Sequence, residues 1–389
     1  MRHRSRSSAA RWQDGGGVVA ATVLTAATGG AEEAVMHTTG PTRDPAPHAV
    51  VFGATGFVGR NVSTMMLAAG WRVTAAVRDP ATAGARLDPG CRALRIDPVR
   101  DRLEDLAAAL LRAWPDVVVN AAGALWGAAG ADERQLIDGN VVLVERLVDA
   151  VADLPPRTTG GRVRLVHIGS GYEYGDQPPG MPLTEDVIPR PVSRYAQTKL
   201  AGTSTVAAAV NAGRLDAVVL RISTAVGPWA PPEGLLGGIA RRIAEDPADV
   251  ELPPLRGARD FVDVRDVGDA VLRAAEALVV PAVVNIGGGR LTAVTDVVDL
   301  LLRCAGGTAR PTGQTAPGER RDAGVTATPL DLGTARRDLR WEPTRPLADA
   351  VAALWLQARA HRPALQPAGT GGAAAPHRSS AANGEPTHG

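Results

Sequence analysis

The sequence predicts an α/β protein: a doubly wound parallel sheet followed by a smaller C-terminal lobe. Three observations lead there. Short apolar runs alternate with stretches of helical period between residues 48 and 222, the pattern of parallel strands joined by crossover helices. A glycine-rich turn, Gly53-Ala54-Thr55-Gly56-Phe57-Val58-Gly59, directly follows the first apolar run and opens the first helical stretch. After Gly227 the alternation gives way to a segment broken by Pro228, Pro231, Pro232, Pro247, Pro253 and Pro254, where long helices and central strands cannot persist.

Taken in order, residues 48–52 read as a buried strand, 59–69 as a helix, 72–77 as the second strand and 103–113 as the second clear helix. Residues 116–120, 163–168 and 217–222 continue the strands, separated by helices over 136–152 and 195–212. In the proline-broken region one helix spans 235–245. Residues 266–277 and 283–285 read as a helix and strand returning to the sheet, and 294–304 and 347–360 as later helices. The chain therefore divides into a sheet domain over 47–227, rejoined by 259–287, and a lobe over 228–258 and 288–362. Residues 1–46 and 363–389 are rich in Gly, Ala, Pro, Ser and Thr without a sustained period. They are read as disordered tails, because they cannot bury enough apolar surface to offset the entropy of ordering. Arg2, Arg4, Arg6 and Arg11 before the apolar run 18–27 imitate a secretory signal. That run is short and Ala/Thr-rich, so the segment is set aside, with Met36 as an alternative start.

Composition limits the function. The 389 residues carry 42 Lys+Arg against 41 Asp+Glu, a net charge of +1, with 3% aromatics. This leaves neither the basic footprint nor the stacking surface of a nucleic-acid binder. Two isolated cysteines, Cys91 and Cys304, build no disulfide framework or zinc site and read as reduced, packed thiols. No run reaches the ~18–20 apolar residues of a membrane span, and the expected location is cytoplasmic. The one lysine of the chain is Lys199, and the three tyrosines, Tyr172, Tyr174 and Tyr195, fall in a short window ending just before it.

The glycine-rich turn is a GxxGxxG pattern in strand-turn-helix context. Small residues let the backbone approach a pyrophosphate, and the helix N-terminus offers unpaired N–H groups and partial positive charge. Gly53, Thr55, Gly56, Phe57, Val58 and Gly59 are accordingly the predicted dinucleotide cradle of a Rossmann-type sheet. At the end of the second strand, Val77-Arg78-Asp79 places Arg78 where an NAD site usually carries an acid. An arginine there accommodates the 2′-phosphate, which favours NADP(H) with NAD(H) possible.

Tyr195 and Lys199 stand four apart on a predicted helix, so phenol and ammonium share a face. A nearby cation lowers the phenol pKa toward a useful proton donor, and a compact ammonium can hydrogen-bond ribose hydroxyls where a planar guanidinium fits poorly. Ser170, at the end of a strand, would hold the reacting oxygen. His167 reads as a packed histidine, and Trp114, Trp126, Trp229, Trp341 and Trp355 as packing residues.

Together these residues resemble the extended short-chain dehydrogenase/reductase family, the nucleotide-sugar epimerases, dehydratases and ketoreductases, over residues 47–360. By that resemblance Asp97 matches the acid that caps adenine, and Asn120-Ala121-Ala122-Gly123 the sheet-end segment beside the cofactor. Arg259, in Arg259-Asp260-Phe261-Val262-Asp263-Val264, matches the arginine that meets a nucleotide diphosphate, and Leu339-Arg340-Trp341-Glu342-Pro343 matches a later family segment. Ser170, Tyr195 and Lys199 match the catalytic trio, and the family implies a homodimer through the helices at 136–152 and 195–212.

The segment Gly169-Ser170-Gly171-Tyr172-Glu173-Tyr174-Gly175 lacks the Asp-Glu pair that follows the serine or threonine of sugar 4,6-dehydratases. It is most similar to that of the GDP-4-keto-6-deoxymannose reductases, with Tyr172 walling the sugar site. Arg221-Ile222-Ser223-Thr224 has Thr224 where epimerases often carry the substrate-binding asparagine. The leading expectation is an NADP(H)-dependent ketoreductase of a nucleotide-linked deoxysugar, the alternative is an NAD-dependent nucleotide-sugar epimerase, and a non-catalytic NADP-sensing module is a minor third.

Overall fold

Six short apolar runs and one largely exposed segment become the strands of one sheet. The computed structural model describes residues 46–124, 132–156, 161–178, 182–245, 252, 255, 257–306 and 328–361. The tails and Trp126 lie outside them. In chain order the elements are β1 (His48–Phe52), α1 (Phe57–Ala68), β2 (Arg72–Val77), α2 (Pro80–Ala83), β3 (Arg92–Arg95), α3 (Leu103–Ala113) and β4 (Val117–Asn120). Then α4 (Glu133–Ile137), a π-helical turn (Asp138–Val142) and α5 (Leu143–Ala152) run end to end. They are followed by β5 (Arg164–Ser170), a 3₁₀ turn (Gly171–Tyr174), α6 (Arg194–Asn211), β6 (Asp216–Ile222) and β7 (Thr224–Val226). The remainder is α7 (Leu235–Glu245), β8 (Ala258–Asp263), α8 (Val264–Glu276), β9 (Val283–Ile286), β10 (Leu291–Ala293), α9 (Val294–Cys304), α10 (Gly333–Asp338) and α11 (Leu347–Ala360).

The large sheet has the order β3-β2-β1-β4-β5-β6-β9, and every neighbouring pair in it is parallel. Strand order reverses between β1 and β4, and ligands bind such sheets in the crevice beyond the strand ends at that switch. One apolar cluster covers the face that carries α1 and α8, with Val62, Met66, Val267 and Val271 fully buried. A second covers the face of α3, α5 and α6, around Leu106, Val144, Leu147 and Val206. A third joins α7, α9 and α11, around Ile239, Val297, Leu301 and Val351.

Several elements differ from the expectation for physical reasons. Helix α1 begins at Phe57, two residues early, because Gly56 takes extended backbone angles as its N-cap. The helix over 136–152 is interrupted by the π turn. Edge strand β3 was not anticipated; its sequence Arg-Ala-Leu-Arg is largely exposed and has no alternation to read. Strand β8 does not enter the large sheet but pairs in parallel with β7 and antiparallel with β10, whereas α8 packs on α1 and β9 pairs with β6. Helix α8 starts at Val264, where the Asp263 carboxylate accepts from the Arg265 backbone N–H at 2.8 Å. Cys304 is exposed rather than packed, and Cys91 is half-buried. His167 is buried as expected, and Trp341 sits in the core with its indole N–H donating to the Asp266 carbonyl. Among the described residues no helix is long and apolar enough to cross a membrane.

The end of β5 is tied to β9 by one buried bond, from the Tyr174 hydroxyl to Asn285 Oδ1 at 2.7 Å. Tyr174→Phe leaves that acceptor unpaired, an expected loss of about 1–3 kcal/mol. Urea unfolding should show a lower midpoint with an unchanged slope.

Candidate active site

The strand ends open into a cavity of about 310 Å³. Its walls come from the start of α1 (Phe57, Val58), the segment after β4 (Ala121–Ala124), the end of β5 (Ile168, Gly169, Ser170), α6 (Tyr195, Lys199), and the lobe residues Pro231, Leu235 and Phe261. Tyr172, Thr224 and Arg259 line it too, and the same three border a small annex of about 30 Å³ with Asp260 and Leu330.

Local sequence explains why the trio meets. Ser193 caps α6, its Oγ accepting from the Ala196 N–H at 3.2 Å, so Tyr195 and Lys199 lie on the first turns, facing the sheet. Lys199 is buried, and its ammonium donates to the Ile168 carbonyl at 2.6 Å. Ser170 ends β5 and caps the 3₁₀ turn: its Oγ accepts from the Tyr172 N–H at 3.2 Å, while Glu173 Oε1 accepts from the Ser170 N–H at 2.8 Å. This reciprocal cap fixes both residues. Tyr195 and Ser170 line the same cavity, and the Tyr195 ring meets the Tyr172 ring edge to face, centroids 6.1 Å apart at 82°.

The residues of the glycine-rich turn fit a dinucleotide. Gly53 takes a left-handed φ of 81°, and a Cβ there would lie 2.5 Å from the Ala122 backbone nitrogen. A Cβ on Gly59 would lie 2.1 Å from the Gly53 carbonyl oxygen, so α1 starts hard against the turn. No side chain caps α1, and its first residues, Phe57 and Val58, border the cavity; a helix N-terminus so placed accepts a pyrophosphate. Thr55 and Gly56 lie in the same turn, where the Gly56 N–H donates to the Gly53 carbonyl at 2.9 Å.

Other expected residues take supporting or outlying places. Asn120 is fully buried; its Oδ1 accepts from the Ala122 N–H at 3.2 Å and its Nδ2 meets His167 Nδ1 at 3.1 Å. It shapes the segment beside the cavity rather than lining it. Arg78, exposed after β2, and Asp97, after β3, stand outside the cavity lining. Asp79 spends its carboxylate capping α2, accepting from the Ala81 N–H and the Thr82 hydroxyl, each at 3.0 Å, which leaves Arg78 as the residue at the strand end. Asp97 Oδ1 accepts from the Val99 and Arg100 N–H groups.

The sequence reading missed Asn140. It sits in the π turn and borders the cavity, with Oδ1 accepting from the Ala124 N–H at 3.2 Å and Nδ2 donating to Thr198 Oγ1 at 3.1 Å. Gly139-Asn140 inside a helical pattern was the available signal, since such turns mark functional sites.

Burial sets the protonation of the site. It pushes the Tyr195 phenol up to about 12, with Ser170 opposing the rise and Tyr172 and Glu173 adding to it. The expected fall toward neutrality is not present in this state, because the ammonium is directed at the Ile168 carbonyl and loss of water dominates. The same burial brings Lys199 down to about 8, with Glu173 opposing the fall. His167 is held well below its usual value by burial and by Lys199, so it is neutral.

Comparison with known proteins adds to this geometry. A family model described as the NAD dependent epimerase/dehydratase family matches residues 49–287. The chain is 39% identical over 322 residues to dTDP-6-deoxy-L-talose 4-dehydrogenase (NAD(P)(+)) from Kitasatospora kifunensis, covering 82% of this chain and 97% of that protein. It is 27% identical over 258 residues to GDP-6-deoxy-D-mannose reductase from Pseudomonas aeruginosa, covering 64% and 78%. The crystal structure of UDP-glucuronic acid 4-epimerase from Bacillus cereus, in complex with UDP-glucuronic acid and NAD, shares the fold with a TM-score of 0.66 at 22% identity, covering 80% of this chain and 99% of that one.

Gly59→Ala tests the cradle. Its methyl must displace either the turn or α1, so dinucleotide affinity measured by calorimetry should fall by about tenfold or more.

Proposed function

The chain belongs to the NAD-dependent epimerase/dehydratase family, and on that premise we propose that it is an NADP(H)-dependent reductase of the keto group of a nucleotide-linked 4-keto-6-deoxyhexose. It is an NAD(P)-dependent enzyme of nucleotide-sugar modification; the direction of the chemistry, the sugar and the NADP(H) preference are our reading. One observation carries it. Beside Ser170 the cavity is lined by Gly171's neighbour Tyr172, and the only carboxylate of that turn, Glu173, is fully buried in an ion pair with Arg221. No acid-base pair for eliminating water stands where a dehydratase needs one, while the trio for carbonyl reduction is complete. The relative acting on the 4-position of a dTDP-6-deoxysugar with NAD(P) supports the substrate class, and Arg78 at the end of β2 supports NADP(H).

The cradle residues Gly53, Thr55, Gly56, Phe57, Val58 and Gly59 would hold the pyrophosphate, Ala121 and Ala122 would flank it, Arg78 would meet the 2′-phosphate and Asp97 the adenine. When bound, the nicotinamide supplies the hydride for the carbonyl carbon. Ser170 orients the carbonyl oxygen through its hydroxyl, and Tyr195 donates the proton to that oxygen as it becomes an alkoxide. A phenol held up near 12 remains protonated at neutral pH, the form that a reductase's acid requires. Lys199, as an ammonium, holds the nicotinamide ribose and supports the phenolate left after proton transfer. Tyr172 and Thr224 would border the sugar and Arg259 would meet the nucleotide diphosphate, with Arg259 held on β8 opposite Thr292 of β10. The homodimer implied by the family is part of the same reading, and light scattering measures it directly.

The trio also serves an epimerase, so the test must separate the two. An NADPH oxidation assay over dTDP- and GDP-linked 4-keto-6-deoxy sugars should show turnover with added NADPH, and Tyr195→Phe should lose it by about a hundredfold or more while dinucleotide affinity stays near that of the unaltered protein. Purification with tightly held NAD⁺, and conversion of a non-keto sugar without added cofactor, would contradict the reading.

The pH profile carries a second prediction. Lys199 titrates near 8 and works as the protonated form, so the reduction rate should be full below that pH and fall as pH rises through it. Arg78→Ala should raise the Michaelis constant for NADPH by about tenfold, with that for NADH nearly unchanged, since only the former carries the 2′-phosphate.

A further inference from the structure

Glu173 lies beneath the cavity and takes no part in the chemistry just described. It has no exposed surface, and each of its oxygens is engaged. Oε1 accepts from the Ser170 N–H at 2.8 Å and from the Thr203 hydroxyl at 2.9 Å; Oε2 accepts from Arg221 Nε at 2.8 Å. Three elements therefore converge on one carboxylate: the end of β5 that carries Ser170, the turn of α6 that follows Lys199, and β6, which leads to Thr224. We propose that Glu173 is a positioning residue of the catalytic centre, holding Ser170 and α6 in register and supplying the negative charge that supports the Lys199 ammonium. This rests on the reading of Ser170, Tyr195 and Lys199 as the reacting trio.

The charges around Lys199 make Glu173 the candidate. On its own helix the neighbour one turn back is Tyr195; from β5 it meets His167, neutral and buried; from the π turn comes Asn140, which carries no charge. The turn after β5 supplies Glu173, and this carboxylate opposes the desolvation of the ammonium and raises the phenol as well. Arg221 satisfies the remaining side of the carboxylate and stacks over the Tyr174 ring at 4.7 Å. A glutamine has one acceptor oxygen: it could serve the Ser170 and Thr203 donors, but its amide N–H₂ would then face the Arg221 Nε–H, donor against donor. A carboxylate completely removed from water costs heavily unless paired; Arg221 pairs it directly, and the carboxylate's charge also offsets the desolvation of Lys199.

The composition provides the probe. Because Lys199 is the only lysine, full-length protein grown with lysine isotope-labelled at the ε carbon gives a single side-chain resonance, whose pH titration reads this ammonium without assignment. Glu173→Gln keeps an acceptor and removes the charge; the midpoint should drop below that of the unaltered protein by about half a pH unit or more. Removing one partner of a buried pair strands Arg221, so the double variant Glu173→Gln/Arg221→Met is measured beside it. It restores neutrality, and its midpoint should still lie below the unaltered one. An unaltered midpoint in the double variant, or in the single variant where that folds, overturns the proposal and leaves Glu173 a strut for Arg221. The titration needs no substrate: lowered midpoints in a protein that reduces no ketosugar would refute the proposed function and leave this inference standing.

Discussion

An ammonium withdrawn from water must be solvated by the protein, and most of the architecture around the cavity follows from meeting that need at Lys199. The Ile168 carbonyl accepts one of its hydrogen bonds, which requires α6 to lie close over the end of β5. On its other side α6 packs tightly on the π turn, which Gly202 permits: a Cβ there would lie 2.5 Å from the Asn140 backbone carbonyl oxygen. Glu173 is buried behind the same strand and is neutralised by Arg221, whose guanidinium stacks over the Tyr174 ring. Tyr174 in turn donates to Asn285, and Asn285 donates to the Leu183 carbonyl. A polar chain thus runs from α6 through β5 and β6 to β9, each link satisfying the previous one, as buried networks must.

On the other side of the cavity the constraint is steric. Gly53 and Gly59 allow the turn after β1, the start of α1 and the segment after β4 to pack backbone against backbone. The result is an uncapped helix N-terminus at the switch point of the sheet, bordering the same cavity as the phenol and hydroxyl. On the proposed reading, cofactor cradle and proton donor are therefore parts of neighbouring strand ends.

Much of this was legible in the sequence, for identifiable reasons. The parallel strands are apolar runs without alternation, because both faces of the sheet are covered, and Arg72–Val77 and Leu103–Ala113 could be read to the residue. The pairing of Tyr195 with Lys199 was visible because helical spacing is rigid and because the chain uses lysine once. What escaped notice depends on long-range pairing. Strands β7 and β10 have three residues each, too few to show a period, and β8 leaves the main sheet for partners that no local pattern predicts. Asn140 was hidden by a π turn inside an otherwise regular helix. The phenol's protonation escaped as well: spacing reveals which cation is near, whereas the balance between that cation and desolvation depends on burial, and here burial dominates.

On the proposed reading, Tyr195 and its neighbours serve net reduction of a sugar carbonyl, each turnover consuming one reduced dinucleotide. Incubation with NADPH deuterated at the transferable nicotinamide position and a dTDP-linked 4-keto-6-deoxyhexose, followed by NMR and mass analysis of the sugar, measures this directly. A reductase leaves one deuterium at sugar carbon 4 for each NADP⁺ formed. Conversion of the sugar without matching NADP⁺, or product free of deuterium, would contradict it.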